Sequence, residues 1–156
     1  MKNKRGQAFI ELLLVLPLFL LIFAVIIEMG FIMYDFAVIH YAASTAAVEA
    51  ARQGDFTTST QQRTADYLTQ WTSNKTVQGV AFAPEYSSPT TTDQIIICAP
   101  TSGVKYQRGN VMSVKIIYPV KFKLFFIDSL ANWALKEEHL TLKSQAIAMS
   151  EEYFEP

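Results

Sequence analysis

Residues 2–30 read KNKRGQAFIELLLVLPLFLLIFAVIIEMG. From Leu12 to Ile27 no side chain carries a charge. As a helix this stretch spans about 24 Å at roughly 1.5 Å per residue, slightly short of a bilayer core of about 30 Å. Extending it over Ala8–Ile10 or over Met29–Tyr34 makes up the length, and either extension takes in an acid, Glu11 or Glu28. Lys2, Lys4 and Arg5 precede the run, and no comparable basic cluster follows it closely. The positive-inside rule therefore keeps the N-terminus cytoplasmic and exports the rest. The expectation is a single-pass protein of the cytoplasmic membrane, with the lipid bilayer as its first partner.

Glu11 is the residue that needs explaining. A carboxylate in hydrocarbon costs about 2.5–3.5 kcal/mol on insertion scales. A secretory signal peptide has an apolar region of about 7–15 residues followed soon by a small-residue cleavage site. Here the apolar character continues past Glu28 through MGFIMYDFAVI, and the first small-residue cluster, YAAS at Tyr41–Ser44, comes late. A plain signal anchor accounts for orientation and length but not for the acid, and a side chain that snorkels to the interface is the simplest alternative.

Further along, Pro17 lies inside the helix and removes one backbone donor, which favours a bend. Ala42, Ala43, Ala46, Ala47, Ala50 and Ala51 recur at spacings of three and four. Small residues at that spacing let helices approach closely, although alanine is also the best helix former. Glu49 and Arg52 are spaced to pair, and Gly54 is a credible helix stop. From Gln7 to Arg52 a continuous helix would be about 69 Å long. Glu28 and Asp35 lie on it either toward neighbouring helices or at the outer interface.

The prefix KNKRG followed by QAFIE resembles a prepilin leader. In that family a short basic leader ends in Gly, a membrane-embedded peptidase cuts after it, and the fifth mature residue is a glutamate. The resemblance places the cut between Gly6 and Gln7, with Lys2, Lys4 and Arg5 as the basic residues of the leader and Glu11 as the fifth mature residue. Cleavage leaves a positive amine close to the acid, and in a fibre Glu11 can meet the amine of a neighbouring subunit. Such pairing offsets burial and can set axial register, as buried polar groups sometimes do. The longer stretch RGQAFIELLLVLPLFLLIFAVIIEMGFIMYDFAVIHYAASTAAVEAAR is similar to the TadE-type minor pseudopilins of the tight-adherence (Flp pilus) machinery. RG before the cut, Glu11, LVLP ending in Pro17, the second acid Glu28 and the Ala-rich end carry the likeness. Gln7 stands where ordinary type IV pilins usually begin with Phe, which favours the Tad group over type II secretion pseudopilins. The bend at Pro17 and the small residues Ala43, Ala47 and Ala51 fit a helix that packs against others. The partners the resemblance implies are a prepilin peptidase, other pilins or pseudopilins of the system, and an inner-membrane assembly platform.

The exported part reads as a small α+β head. FTTSTQQRTADYLTQWTSNK suggests a short amphipathic helix through Ala65, Leu68 and Trp71, capped by Thr58 or Ser59 with Gln61 or Gln62 as box partner. Asn74-Lys75-Thr76 matches a glycosylation sequon, which chance explains. Val80 and Phe82 alternate with small residues before Pro84, and QIIIC reads as a buried strand with Cys98 as a small hydrophobe. VMSVKIIYPVKFK is the best strand: Met112, Val114, Ile116, Tyr118, Val120 and Phe122 share one face, opposite Ser113, Lys115, Lys121 and Lys123. Pro119 suggests an edge or a bulge. HLTLKSQAIAMS alternates from Leu140 to Ser144 and then changes parity to Ile147 and Met149, which predicts a bulge or burial on both sides. LFFIDSLANWALKEE suggests a second helix, capped by Asp128 or Ser129 and bearing Leu130, Trp133 and Ala134. Glu151, Glu152 and Glu155 form an acidic, solvated end. The expected fold is thus a long N-terminal helix, then a small antiparallel sheet with one or two short helices. The domains are a leader at 1–6, the hydrophobic helix at 7–54 and the head at 55–156.

The chain has 156 residues and a net charge of -1, against the clearly basic balance of nucleic-acid binders. Its single cysteine excludes an intrachain disulfide and a cysteine-built zinc site. His40 and His139 are the only histidines, and HExxH, P-loop, GxGxxG and GxSxG patterns are absent. Cys98 with His139 lacks a third orienting group. No enzyme activity, metal or cofactor is expected. Three functions remain: a processed minor pseudopilin in pilus assembly and adhesion, a type II secretion-like pseudopilin, or an unprocessed membrane protein with an exported binding head.

Overall fold

The computed structural model describes residues 4–73, 79–89, 93–123 and 140–152, with side chains from residue 9 onward. One helix, α1 (Lys4–Gln53, 50 residues), dominates them. Pro17 sits within it without interrupting it, so the carbonyl one turn earlier simply lacks its donor. The helix stops where Gly54 takes φ 60, a conformation that costs glycine nothing and most residues a good deal. A short turn then reverses the chain into α2 (Thr58–Trp71), whose N-cap is Thr57, one residue before the expected cap. The Thr57 hydroxyl accepts the Thr60 amide at 3.4 Å, and the Gln61 side chain reaches back to the Phe56 carbonyl.

Four strands follow: β1 (Val80–Pro84), β2 (Ile95–Ala99), β3 (Val111–Pro119) and β4 (Thr141–Met149). They form one sheet in the order β1-β2-β3-β4. The β2–β3 and β3–β4 pairs are antiparallel, but β1 runs parallel to β2, so the sheet is mixed rather than purely antiparallel. The described start of the connection after Pro84, residues 85–89, lies against one face of the sheet. There the Ser87 hydroxyl lies 3.6 Å from the Cys98 sulfur, and Lys115 Nζ donates to the Ser87 carbonyl. This segment meets, at Cys98, a second apolar cluster of Ile96, Cys98 and Ile117 on the face turned away from α1. It also brings Glu85 to the Ser113 amide at 2.8 Å. That amide lies beyond the end of β2, so the carboxylate supplies the acceptor that the neighbouring strand does not.

The main core lies between the inner face of the sheet and the upper half of α1. Met112, Val114, Ile116 and Tyr118 of β3 line it, as the period-two reading predicted. Opposite them stand Ile39, Ala42, Ala43, Ala46, Ala47 and Ala50, with Phe56 of the turn before α2 and Leu68 of α2 closing one side. The edge strand β4 contributes Leu142, Ala146 and Ala148 to the same core.

The expected parity change in β4 does not occur. Its register with β3 runs unbroken from Thr141 opposite Pro119 to Met149 opposite Val111. Ile147 and Met149 face outward, 64% and 65% exposed. The reason is steric. Where the alanines of α1 come close, only small side chains fit beneath the helix, so the inner face of β4 turns to alanine and the larger residues turn out. Pro119 ends β3 instead of bulging it. The suggested helix around Asp128, Ser129 and Trp133, together with His139, Glu155 and the sequon at 74–76, lies outside the described residues.

Candidate membrane and assembly interface

The lower half of α1 stands free of the head. Among the described residues it belongs to the one helix long and apolar enough to cross a membrane. Its side chains are exposed on every side of the cylinder, with Ile10 68%, Leu14 74% and Leu20 60% exposed. A soluble core helix would bury one stripe, whereas a helix apolar all round suits lipid or other apolar helices. Glu11 lies near the start of this cylinder and is exposed in the isolated chain. Gly6 and Gln7 fall within the first turns of the same helix. The backbone from Gly6 through Glu11 and Pro17 is thus one continuous rod.

The other two acids have a different setting. Glu28 is 3% exposed and Asp35 6%. They are about two turns apart on the stripe of α1 that continues upward through Ile39, Ala42 and Ala46. The Glu28 carboxylate accepts the Lys123 amide at 2.8 Å, while the Lys123 ammonium lies 3.8 Å from the centre of the Phe31 ring. Asp35 accepts the Ser73 amide at 2.7 Å and the Ser73 hydroxyl at 2.5 Å, with the Tyr118 hydroxyl 3.4 Å away. Farther up, His40 Nδ1 is 3.1 Å from the Ser144 hydroxyl. Each polar group of the stripe thus meets a different element of the head: the chain beyond β3, the end of α2, and β4. These contacts fix the head against one face of the helix. Both acids face the chain's own head, neither an adjoining helix nor bulk water.

Several residues with expected roles fall elsewhere. Ala43 and Ala47 lie in the main core, and Ala51 is buried beside it, its carbonyl accepting the Glu151 amide at 2.9 Å. Within one chain the alanine stripe therefore packs on the sheet and on α2. Glu49 pairs with Arg63 of α2 at 2.9 Å rather than with Arg52. Cys98 is fully buried. Among the described residues no three His, Cys, Asp or Glu side chains converge as a metal site. The Lys123 and Ser73 partners escaped the sequence reading because nothing local marks them; the only hint was two acids that had no apparent place on an apolar helix.

Two tyrosines of the head ionise less readily than usual. Burial, then the charges of Glu85, Tyr86 and Asp55, pushes the Tyr106 phenol up. Burial, then Tyr41 and Tyr34, does the same for Tyr67.

The family model of the TadE-like proteins matches residues 6–54, from Gly6 to the glycine that ends α1. The segment that forms the helix is therefore TadE-like, and the match stops where the head begins. No curated protein and no solved structure shows detectable similarity to the chain.

Proposed function

We propose that this chain is a minor pseudopilin of a tight-adherence pilus, held in the cytoplasmic membrane by α1 and used in assembling the adhesive fibre. The TadE-like match at residues 6–54 carries the reading, since it points to a Tad pilus-associated protein. The form of α1 supports it: one rod whose lower half offers apolar surface on all sides and whose upper half is fixed to a small head.

In this reading residues 1–6 are a leader, and a prepilin peptidase cuts between Gly6 and Gln7. The new amine and Glu11 then lie about one turn apart on α1. In the membrane the helix dipole favours the Glu11 carboxylate near the helix N-terminus. On assembly, Glu11 of one subunit takes the amine of a neighbouring pilin, which lowers the cost of a buried carboxylate and fixes the axial stagger. Other pilins and the inner-membrane platform engage the lower half of α1. The head is exported and performs no reaction of its own.

N-terminal sequencing of the protein from its native host tests the processing step. A chain beginning at Gln7 is expected, and one retaining Met1 in cells with an active prepilin peptidase would remove the pseudopilin reading in favour of an ordinary tethered domain. Replacing Gly6 with a bulky residue should block cutting and leave membrane insertion intact.

A further inference from the structure

The lowest layer of the head lies at a definite height on α1. Asp35 is bonded to Ser73 at the end of α2 and faces Tyr118 near the end of β3, so both elements finish level with it. Lys123 reaches about two turns lower, to Glu28. From Glu11 to Phe31 the helix rises about 30 Å, which is the thickness of a bilayer core. The next turn, to Asp35, rises about 6 Å, within the headgroup layer of a membrane roughly 40–45 Å thick overall. With Glu11 at the inner boundary, the Asp35 level of the head falls among the outer headgroups, and the Lys123–Glu28 contact dips about 4–5 Å below the edge of the hydrocarbon core.

The residues at that base have the chemistry of an interface. Trp71 is 50% exposed and Tyr34 46%. Indole and phenol rings favour the headgroup level, where one edge is apolar and the other is wet. Beside them runs an apolar groove of about 400 Å³, lined by Ile27, Gly30, Phe31, Tyr34 and Ser73. Gly30 is one of its lining residues, and a Cβ built there would meet nothing within 4 Å. The groove continues the apolar surface of α1 upward to the point where the first polar groups of the head appear.

We propose that the base of the head is a phospholipid-facing surface. It rests on the outer leaflet of the membrane that α1 crosses, with the upper part of an acyl chain in the Gly30 groove and Tyr34 and Trp71 at the ester and phosphate level. This rests on the membrane-spanning reading of α1. It adds that the head is seated on the lipid rather than held clear of it on a stalk. Leaving the membrane for a fibre then requires this surface to be given up along with the helix.

The test uses the full chain in phosphatidylcholine–phosphatidylglycerol vesicles carrying a spin-labelled lipid, with the label either near the carbonyl end of the chain or near its terminus. The Trp133→Phe variant leaves Trp71 as the fluorophore. Its emission should be quenched at least about twofold more by the shallow label than by the deep one, and should be shielded from acrylamide in the water, as expected at the headgroup level. Should Trp133→Phe fail to fold, Trp71→Phe reads the same quantity by difference: the shallow-quenched component of the unaltered chain should disappear. A Trp71 signal quenched by acrylamide and by neither lipid overturns the seating. An environment-sensitive dye on Leu20→Cys separates the two readings. An apolar signal there with a water-exposed Trp71 sinks the seating alone, and a polar signal there sinks the membrane-spanning reading itself.

Discussion

Asp35 shows most directly how a single side chain serves this architecture. Its carboxylate holds the end of α2 through Ser73 and lies within reach of Tyr118, in a setting only 6% exposed. Replacing it with Ala leaves a buried amide and hydroxyls short of an acceptor, at about 1–3 kcal/mol. Asp35→Ala should therefore lower the denaturation midpoint of the folded chain by that amount, and Asp35→Asn, which keeps an acceptor, by less. An unchanged midpoint for both would mean that the head is held by its apolar core alone. Glu11 behaves oppositely in the proposed function. Glu11→Leu should leave membrane insertion intact or improve it, and should impair piliation; normal fibres from that variant would dismiss the register role. The tyrosines add a pH dependence. Their phenols ionise at higher pH in the folded chain than in the unfolded one, so their contribution to stability is complete below about pH 10, the ordinary phenol value, and is lost as pH rises through the folded values. Alkaline denaturation of Tyr106→Phe should show a shallower loss above that pH than the unaltered chain.

The elements differ in how openly the sequence declares them. α1 was readable from its apolar run, and its end from Gly54. β3 was readable from strict alternation because its inner face carries large apolar residues. β4 misled because its buried face is alanine and its exposed face holds Ile147 and Met149. Size was taken as a sign of burial, while the real constraint was how close α1 comes to the sheet. Two substitutions test this. Ala46→Leu inserts volume into the tightest part of the core and should destabilise by about 1–3 kcal/mol. Ile147→Lys, on the outer face of the edge strand, should stay within about 0.5 kcal/mol of the original. Chemical denaturation of the two variants reads both values, and a large loss from Ile147→Lys would restore the bulge. The start of α2 was placed less well, since Thr57, Thr58 and Ser59 are all competent caps and only the entry angle of the chain selects Thr57.

Taken together, the chain is a rod with two surroundings. Its upper half finds its partners within the same molecule, and its lower half leaves apolar surface for lipid or other helices. Replacing both Leu20 and Ile26 with Asp should move the chain from the membrane fraction to the soluble one, because each such charge costs about 2.5–3.5 kcal/mol at mid-bilayer depth. The fold of the head should survive, as neither side chain touches its core. Circular dichroism with fractionation distinguishes this from simple misfolding.

The residues alone were enough to establish a long apolar helix, its basic flank, its stop, a half-buried strand and a TadE-like beginning, because periodicity, charge and capping act over a few neighbouring positions. They did not establish the parallel pairing of β1 with β2 or the settings of Glu28 and Asp35. Those depend on partners such as Lys123 and Ser73, far away in the chain, whose approach is set by the packing of alanine against alanine. No short stretch records a distance of that kind, so it exists only once the helix and sheet have met.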